Sequence, residues 1–228
     1  MNERTNSSGH PMKLTPPQIR SARRHLRAAD PVMKAMIDAV GPYTLRFERD
    51  RFAMLVRSIV SQQISTIAAR AIRKRLMDLV GPDGLTAGNL ARFNTDQLRS
   101  VGLSLQKASY VADLVAKVND GSIDLRQIGR LSDEAVVESL TQVKGIGRWT
   151  AQMFLIFSLG RPDVFPHDDL GVRTAIRDRY GLDDLPDKTR SHSIAAPWRP
   201  YASVASWYCW RSLDLERNTE TVATGYPS

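Results

Sequence analysis

The chain has 228 residues, 42% hydrophobic, 25% charged and 7% aromatic, which suits a soluble globular protein with a proper core and excludes a disordered or fibrous one. One cysteine, Cys209, excludes an internal disulfide, a cysteine zinc site and a four-cysteine iron–sulfur cluster, and it reads as a small buried apolar residue. Thirty-two Lys and Arg against 24 Asp and Glu give a net charge of +8, which points to a polyanionic partner, nucleic acid first.

Residues 1–14, with Asn6-Ser7-Ser8-Gly9, read as a flexible tail, and so do residues 215–228. The opening Met1-Asn2-Glu3-Arg4 lacks the apolar segment of a secretory signal, and no apolar run is long enough for a membrane helix. An intracellular protein, cytoplasmic in a prokaryote, is expected.

Thr15-Pro16-Pro17 starts the first helix, with Ile19, Ala22 and Leu26 on its apolar face. The basic run Arg20, Arg23, Arg24 and Arg27 reads as its solvated face, with a DNA-facing stripe as the alternative. Asp30-Pro31 opens a helix closed by Gly41. Asp50 caps the next, and Ser65 caps a long one that stops at Gly81. Thr95–Val101 and Ser104–Asp120 follow, and Ser132 caps a helix through Val136 and Leu140. Beyond Gly145-Ile146-Gly147 an apolar helix runs to Leu159. Asp168 or Asp169 caps one ending at Tyr180-Gly181, and Pro197–Leu213 reads as the last. No alternating strand or fixed-period repeat emerges, so the pattern predicts an all-α protein of about ten helices.

Leu140-Thr141-Gln142-Val143-Lys144-Gly145-Ile146-Gly147-Arg148-Trp149-Thr150-Ala151 carries the most information. Two glycines two apart permit positive φ and close backbone approach, just where a helix presents its unpaired N–H groups. Such a turn suits a phosphate without reading base sequence, and Lys144 and Arg148 add charge.

This stretch resembles the helix-hairpin-helix of the DNA glycosylase superfamily, whose signature is a leucine, a G-[IV]-G hairpin and Arg-x-Thr-Ala. Asp163–Arg173 resembles the family's downstream segment, where the catalytic aspartate starts a helix. Leu55–Ser65 resembles its first core helix and Gln-rich turn, while Pro197–Ala202 with Trp207-Tyr208 resembles its last helix. Four segments in order cover about residues 30–213. The resemblance implies a helix-hairpin-helix glycosylase fold with two helical subdomains and a cleft between them. Residues 15–48 with 165–214 would form one subdomain, and 49–164 the other, bearing the hairpin at 141–148.

Bifunctional members carry a lysine after the hairpin arginine, where this chain has Trp149, so no Schiff base or lyase step is expected. Trp149, the Asp168-Asp169 pair and Trp198-Arg199-Pro200-Tyr201 resemble the alkylpurine (3-methyladenine) branch, whose members are monofunctional. That implies hydrolysis of the N-glycosidic bond of 3-methyladenine- and 7-methylguanine-type bases in base excision repair, with hypoxanthine or ethenoadenine as extras. The partner is double-stranded DNA containing alkylated bases, met by a monomer without a membrane.

The family register makes Asp169 catalytic and leaves Asp168 as the helix cap. A carboxylate there stabilises the oxocarbenium-like sugar of the transition state. An alkylated purine is already cationic and leaves without a general acid; His167 is the adjacent candidate should one be needed. The base pocket is expected from Trp149, Trp207, Met153, Leu170 and Tyr208, with Met153 and Leu170 replacing aromatics of some relatives; Trp198 and Trp210 read as core. The family fills the vacated stack from the turn holding Gln62 and Gln63. DNA contacts are further expected from Ser104, Lys107, Lys144, Gly145, Gly147, Arg148 and Thr150. No cofactor is required for catalysis, but the resemblance implies a structural Na+ or K+ on the backbone carbonyls of Thr141, Val143 and Gly145. A non-catalytic module that grips damaged duplex through the hairpin, and a glycosylase/lyase acting on oxidised bases, are the competing readings; Asp169 and Trp149 respectively speak against them.

Overall fold

The computed structural model describes residues 13–216, and both outermost tails lie outside the described residues. Among the described residues there are twelve α-helices and no strand, so the all-α expectation holds. The chain divides into two compact units, one formed by residues up to 47 together with 155 onwards, the other by 48–154.

The first unit contains α1 (Pro16–Ala29), α2 (Pro31–Val40), α10 (Leu170–Tyr180), α11 (Lys188–Ala195) and α12 (Ala202–Glu216). It is built around α12, which packs on α1, α2 and α10. Residues 202–210 of α12 are buried on every side, as befits a central helix. Its buried serines need partners, and they find them locally. Ser206 Oγ donates to the Ala202 carbonyl, Ser212 Oγ donates to that of Cys209, and Ser203 Oγ accepts from the Val164 N–H, at 2.8, 2.8 and 2.9 Å. The structure corrects the expectation of one helix over Pro197–Leu213. A 3-10 turn at Ala196–Trp198 precedes Pro200, and α12 begins only at Ala202, because proline has no N–H for a helix interior.

The second unit contains α3 (Arg51–Ser61), α4 (Thr66–Val80), α5 (Ala87–Leu90), α6 (Thr95–Ser100), α7 (Leu105–Asn119), α8 (Asp133–Thr141) and α9 (Arg148–Phe154). Here α7 packs on α3, α5 and α6, and α8 packs on α9. Asp50, Ser65, Ser104 and Ser132 cap α3, α4, α7 and α8 by accepting the third backbone N–H onward, as their positions in the sequence suggested.

Beyond α9 the chain makes a π-helical turn at Leu155–Leu159, and this turn belongs to the first unit, whereas the sequence reading placed residues up to 164 in the second. The reason is packing: Phe157 stacks on Trp210, and the Ser203 N–H reaches the Pro162 carbonyl. The expected N-terminal tail is also too long, since Leu14 is buried and its N–H donates to the Gly160 carbonyl at 2.8 Å.

One buried carboxylate ties the first unit together. Asp30 caps α2 by accepting from the Val32 and Met33 N–H groups, and it also accepts from the Tyr180 hydroxyl and, at 2.9 Å, from Trp198 Nε1. Burial, and then the bond to Asp30, pushes the Tyr180 phenol well above its ordinary range. Replacing Asp30 by alanine strands three elements' donors at once. A loss of about 3 kcal/mol in unfolding free energy is expected, read from the urea midpoint.

Candidate active site

The predicted catalytic aspartate sits at the start of α10, following the Asp163–Asp168 segment. Asp169 is 5% exposed. Its Oδ1 accepts from the Val172 N–H and from Trp210 Nε1, each at 2.8 Å. The carboxylate therefore faces an N–H of a helix N-terminus and an indole N–H together, an environment that accommodates negative charge. Asp169, rather than Asp168, is thus the N-cap of α10. Asp168 is exposed and lies 3.2 Å from His167 Nε2. The assignment of the cap to Asp168 is corrected by register: an N-cap accepts from N3, and Val172 stands three residues after Asp169.

Trp210, expected in the core, is buried, but its polar tip holds the aspartate. Gly171 makes room for it: a Cβ there would stand 2.9 Å from Trp210 Cδ1 and 3.2 Å from Asp169 Oδ1. Sequence reasoning missed this pair, because 41 residues separate its members and no local pattern joins them.

The expected pocket residues divide. Trp207 is buried with its ring 4.5 Å from that of Tyr43, and Trp149 is partly exposed and Leu170 largely so. Tyr208 and Met153 are instead fully buried. Tyr208 packs edge-on against Trp207 and donates its hydroxyl to the Gly41 carbonyl at 3.0 Å, so it belongs to the core. Met153 lies on the inward side of the apolar helix α9, which explains why a flexible aliphatic side chain serves there.

In the second unit the hairpin joins α8 to α9. Gly145 has φ +79, and a Cβ on it would fall 2.1 Å from the Tyr110 ring, so conformation and space both demand glycine. At Gly147 nothing stands within 4 Å of an added Cβ, which leaves that backbone open to close approach. The Lys144 N–H donates to Asp113 Oδ2 at 2.9 Å, and Gln62 Nε2 donates to the Gly145 carbonyl at 2.8 Å. Arg148 pairs with Glu134. Thr150 is buried, which corrects its expected place at a DNA face: it lies on the inner side of α9.

The turn after α3 shows a second correction. Lys107 Nζ donates to the Val60 and Gln62 carbonyls at 2.7 and 2.6 Å, capping the C-terminus of α3 instead of reaching outward. Burial lowers its pKa. Ser104 Oγ accepts from the Lys107 N–H and so serves as the cap of α7. Gln63 is exposed and has φ +55, the only non-glycine with positive φ among the described residues.

Of the carbonyls suggested for a monovalent cation, two have donors in the protein. Val143 accepts from the Ile146 N–H at 3.0 Å and Gly145 accepts from Gln62, and a carbonyl engaged once keeps a second lone pair. A set of neutral carbonyl oxygens fits Na+ or K+. Among the described residues no group of three or more His, Cys, Asp or Glu side chains is placed to hold a metal.

Comparison with known proteins agrees with this architecture. A sequence model described as HhH-GPD superfamily base excision DNA repair protein matches residues 56–200. DNA-3-methyladenine glycosylase 1 of Schizosaccharomyces pombe is 34% identical over 212 residues, covering 90% of this chain and 92% of that protein. YfjP of Bacillus subtilis is 32% identical across 70% of this chain, which spans 58% of the length of YfjP. A solved structure of the S. pombe 3-methyladenine DNA glycosylase in complex with abasic DNA superposes with a TM-score of 0.75 at 33% identity, covering 84% of this chain and 95% of that one.

Asp113 generates a pH prediction. Burial raises its pKa, but bonds from the Lys117 ammonium and the Lys144 N–H outweigh that and bring it below the ordinary 3.8. A depressed carboxyl stabilises the fold above the unfolded value and loses that contribution as pH falls through the lower folded one. Asp113→Asn should therefore flatten the acid limb of stability below about pH 4, seen as a weaker pH dependence of the urea midpoint than in the parent protein.

Proposed function

The chain belongs to the HhH-GPD superfamily of base excision DNA repair proteins, and from that premise we propose that it is a monofunctional DNA glycosylase releasing alkylated bases of the 3-methyladenine and 7-methylguanine type from duplex DNA. The observation that carries this reading is Asp169, a nearly buried carboxylate fixed by two N–H donors at the start of α10, which a purely DNA-gripping module does not need.

Breaking the N-glycosidic bond loads positive charge onto the sugar. A preorganised carboxylate stabilises that charge without reorganising, which is commonly the largest catalytic contribution. The Val172 N–H and the Trp210 indole fix the position of Asp169, so that little orientation is lost when the everted nucleotide arrives. The leaving alkylpurine is a cation already. It departs without a proton donor, and it stacks on electron-rich indoles, for which Trp149 and Trp207 are the candidates. Normal purines lack that charge and leave far more slowly. Trp149 in place of a lysine supports hydrolysis without strand cleavage. The hairpin backbone at Gly145 and Gly147 with Lys144 would take the phosphates, aided by a Na+ or K+ on the carbonyls of Thr141, Val143 and Gly145. Gln63 would enter the vacated stack, and the protein would act as a monomer.

Incubating methylated duplex with the parent protein should release 3-methyladenine and 7-methylguanine without nicking the strand. Asp169→Asn should lose at least about 100-fold in release rate while keeping its affinity for DNA. Binding without release by the parent protein would refute the enzymatic reading, and a borohydride-trapped adduct would refute the monofunctional one. Trp210→Phe keeps an aromatic six-membered ring, although a smaller one, and removes the indole N–H donor. Single-turnover kinetics should show release about tenfold slower at saturating DNA, with the dissociation constant unchanged; equal loss in both would make Trp210 a general structural element.

A further inference from the structure

The helix α1 bears a concentration of charge that the base-release chemistry leaves unused. Arg20, Arg23, Arg24 and Arg27 recur at the i, i+3, i+4, i+7 spacing of one helical face, and α1 contains no Asp or Glu in its 14 residues. With Ala28 the four arginines line an open concavity of about 530 Å³. Only Arg27 is neutralised: it pairs with Asp38, whose other oxygen takes Lys34 at 3.1 Å. Arg20, Arg23 and Arg24 have no carboxylate at ion-pair distance among the described residues. Arg23 Nε is buried without a hydrogen-bond partner. His25, on the same helix, is engaged elsewhere, 3.1 Å from the Pro197 carbonyl.

This arrangement is costly for a lone helix. Like charges at i, i+4 repel, as Arg20 does Arg24 and Arg23 does Arg27, and a buried guanidinium N–H without an acceptor is expensive. An anion on this face relieves the repulsion among the exposed guanidinium groups. The face extends about 10 Å from Arg20 to Arg27 at 1.5 Å per residue, and one DNA strand presents a phosphate about every 3.4 Å along the axis. The face is thus long enough to meet more than one phosphate of a strand, and guanidinium forks suit phosphate oxygens in geometry as well as charge.

We propose that this face of α1 is a second DNA-binding surface, which holds the phosphodiester backbone of the duplex independently of the hairpin and of the damaged base. The assignment rests on the reading of the chain as a DNA-acting enzyme, and the test separates the two. Binding of an undamaged duplex is measured by fluorescence anisotropy across a salt series for the parent protein, for Arg20→Gln with Arg24→Gln, for the same two positions changed to lysine, and for Lys144→Ala in the hairpin. Arg20 and Arg24 are exposed, so the melting temperature should not change. Each lost phosphate contact lowers the slope of log K against log salt by about 0.9, so the glutamine pair should reduce it by about 1.8 and the lysine pair should restore most of it.

A parent slope lowered by Lys144→Ala but unchanged by the glutamine pair would overturn the proposal and leave the DNA reading intact. Absence of salt-dependent binding by the parent protein would overturn both. Calorimetric titration with sodium tripolyphosphate distinguishes the source of phosphate. Tight binding that the glutamine pair abolishes, together with an unchanged DNA slope, would assign the face to a small polyphosphate and overturn its role in holding the duplex.

Discussion

The hold on the Asp169 carboxylate is the constraint from which the candidate site follows. One oxygen of that group accepts from the backbone of α10 and from the indole of α12, so the position of the charge depends on two helices being in register. Their register depends in turn on α12 being buried along most of its length and on Gly171, which lets the Trp210 ring lie against the beginning of α10. The same unit holds a second buried aspartate, Asp30, which ties its elements together. Both residues are N-caps and both accept from a tryptophan, yet Asp30 also takes a tyrosine hydroxyl. Burial alone does not tell the two apart, since each is 5% exposed, whereas their sequence neighbourhoods differ.

The hairpin unit solves a different problem. A turn that leaves its backbone open, as at Gly147, still has to be held rigid. Gln62 and Asp113 reach the hairpin from other elements and bond its main chain, while Tyr110 occupies the space that a side chain on Gly145 would need. Lys107 secures the neighbouring turn in the same manner, by satisfying carbonyls left over at the end of α3. Much of the polar chemistry around these loops therefore supports the loops themselves.

What could be read from the sequence was what is written locally. The helices announced by Asp30, Asp50, Ser65, Ser104 and Ser132 begin at those residues, because a cap and its N–H lie within three positions of each other. The hairpin was legible from two glycines in a helical context, and Asp169 from its place in a family pattern. The short α5 and the polar α11 escaped notice, having little apolar periodicity to betray them. The roles of Trp210 and Lys107 were hidden for another reason. Their partners lie 41 and 45–47 residues away, and only packing brings such groups together. Lysine beside a presumed DNA loop suggests a phosphate contact by charge alone, and charge does not reveal that a carbonyl is nearer.

Gln63 has a consequence for engineering. Its left-handed backbone is one that glycine adopts without penalty and that a longer residue occupies at a cost. Selection for heat resistance alone would favour glycine at this point, trading a side chain for a more robust turn. A thermostabilised descendant would then have gained its durability by giving up the one group that the turn holds out to solvent under strain, and durability screens applied without a repair assay would reward that exchange.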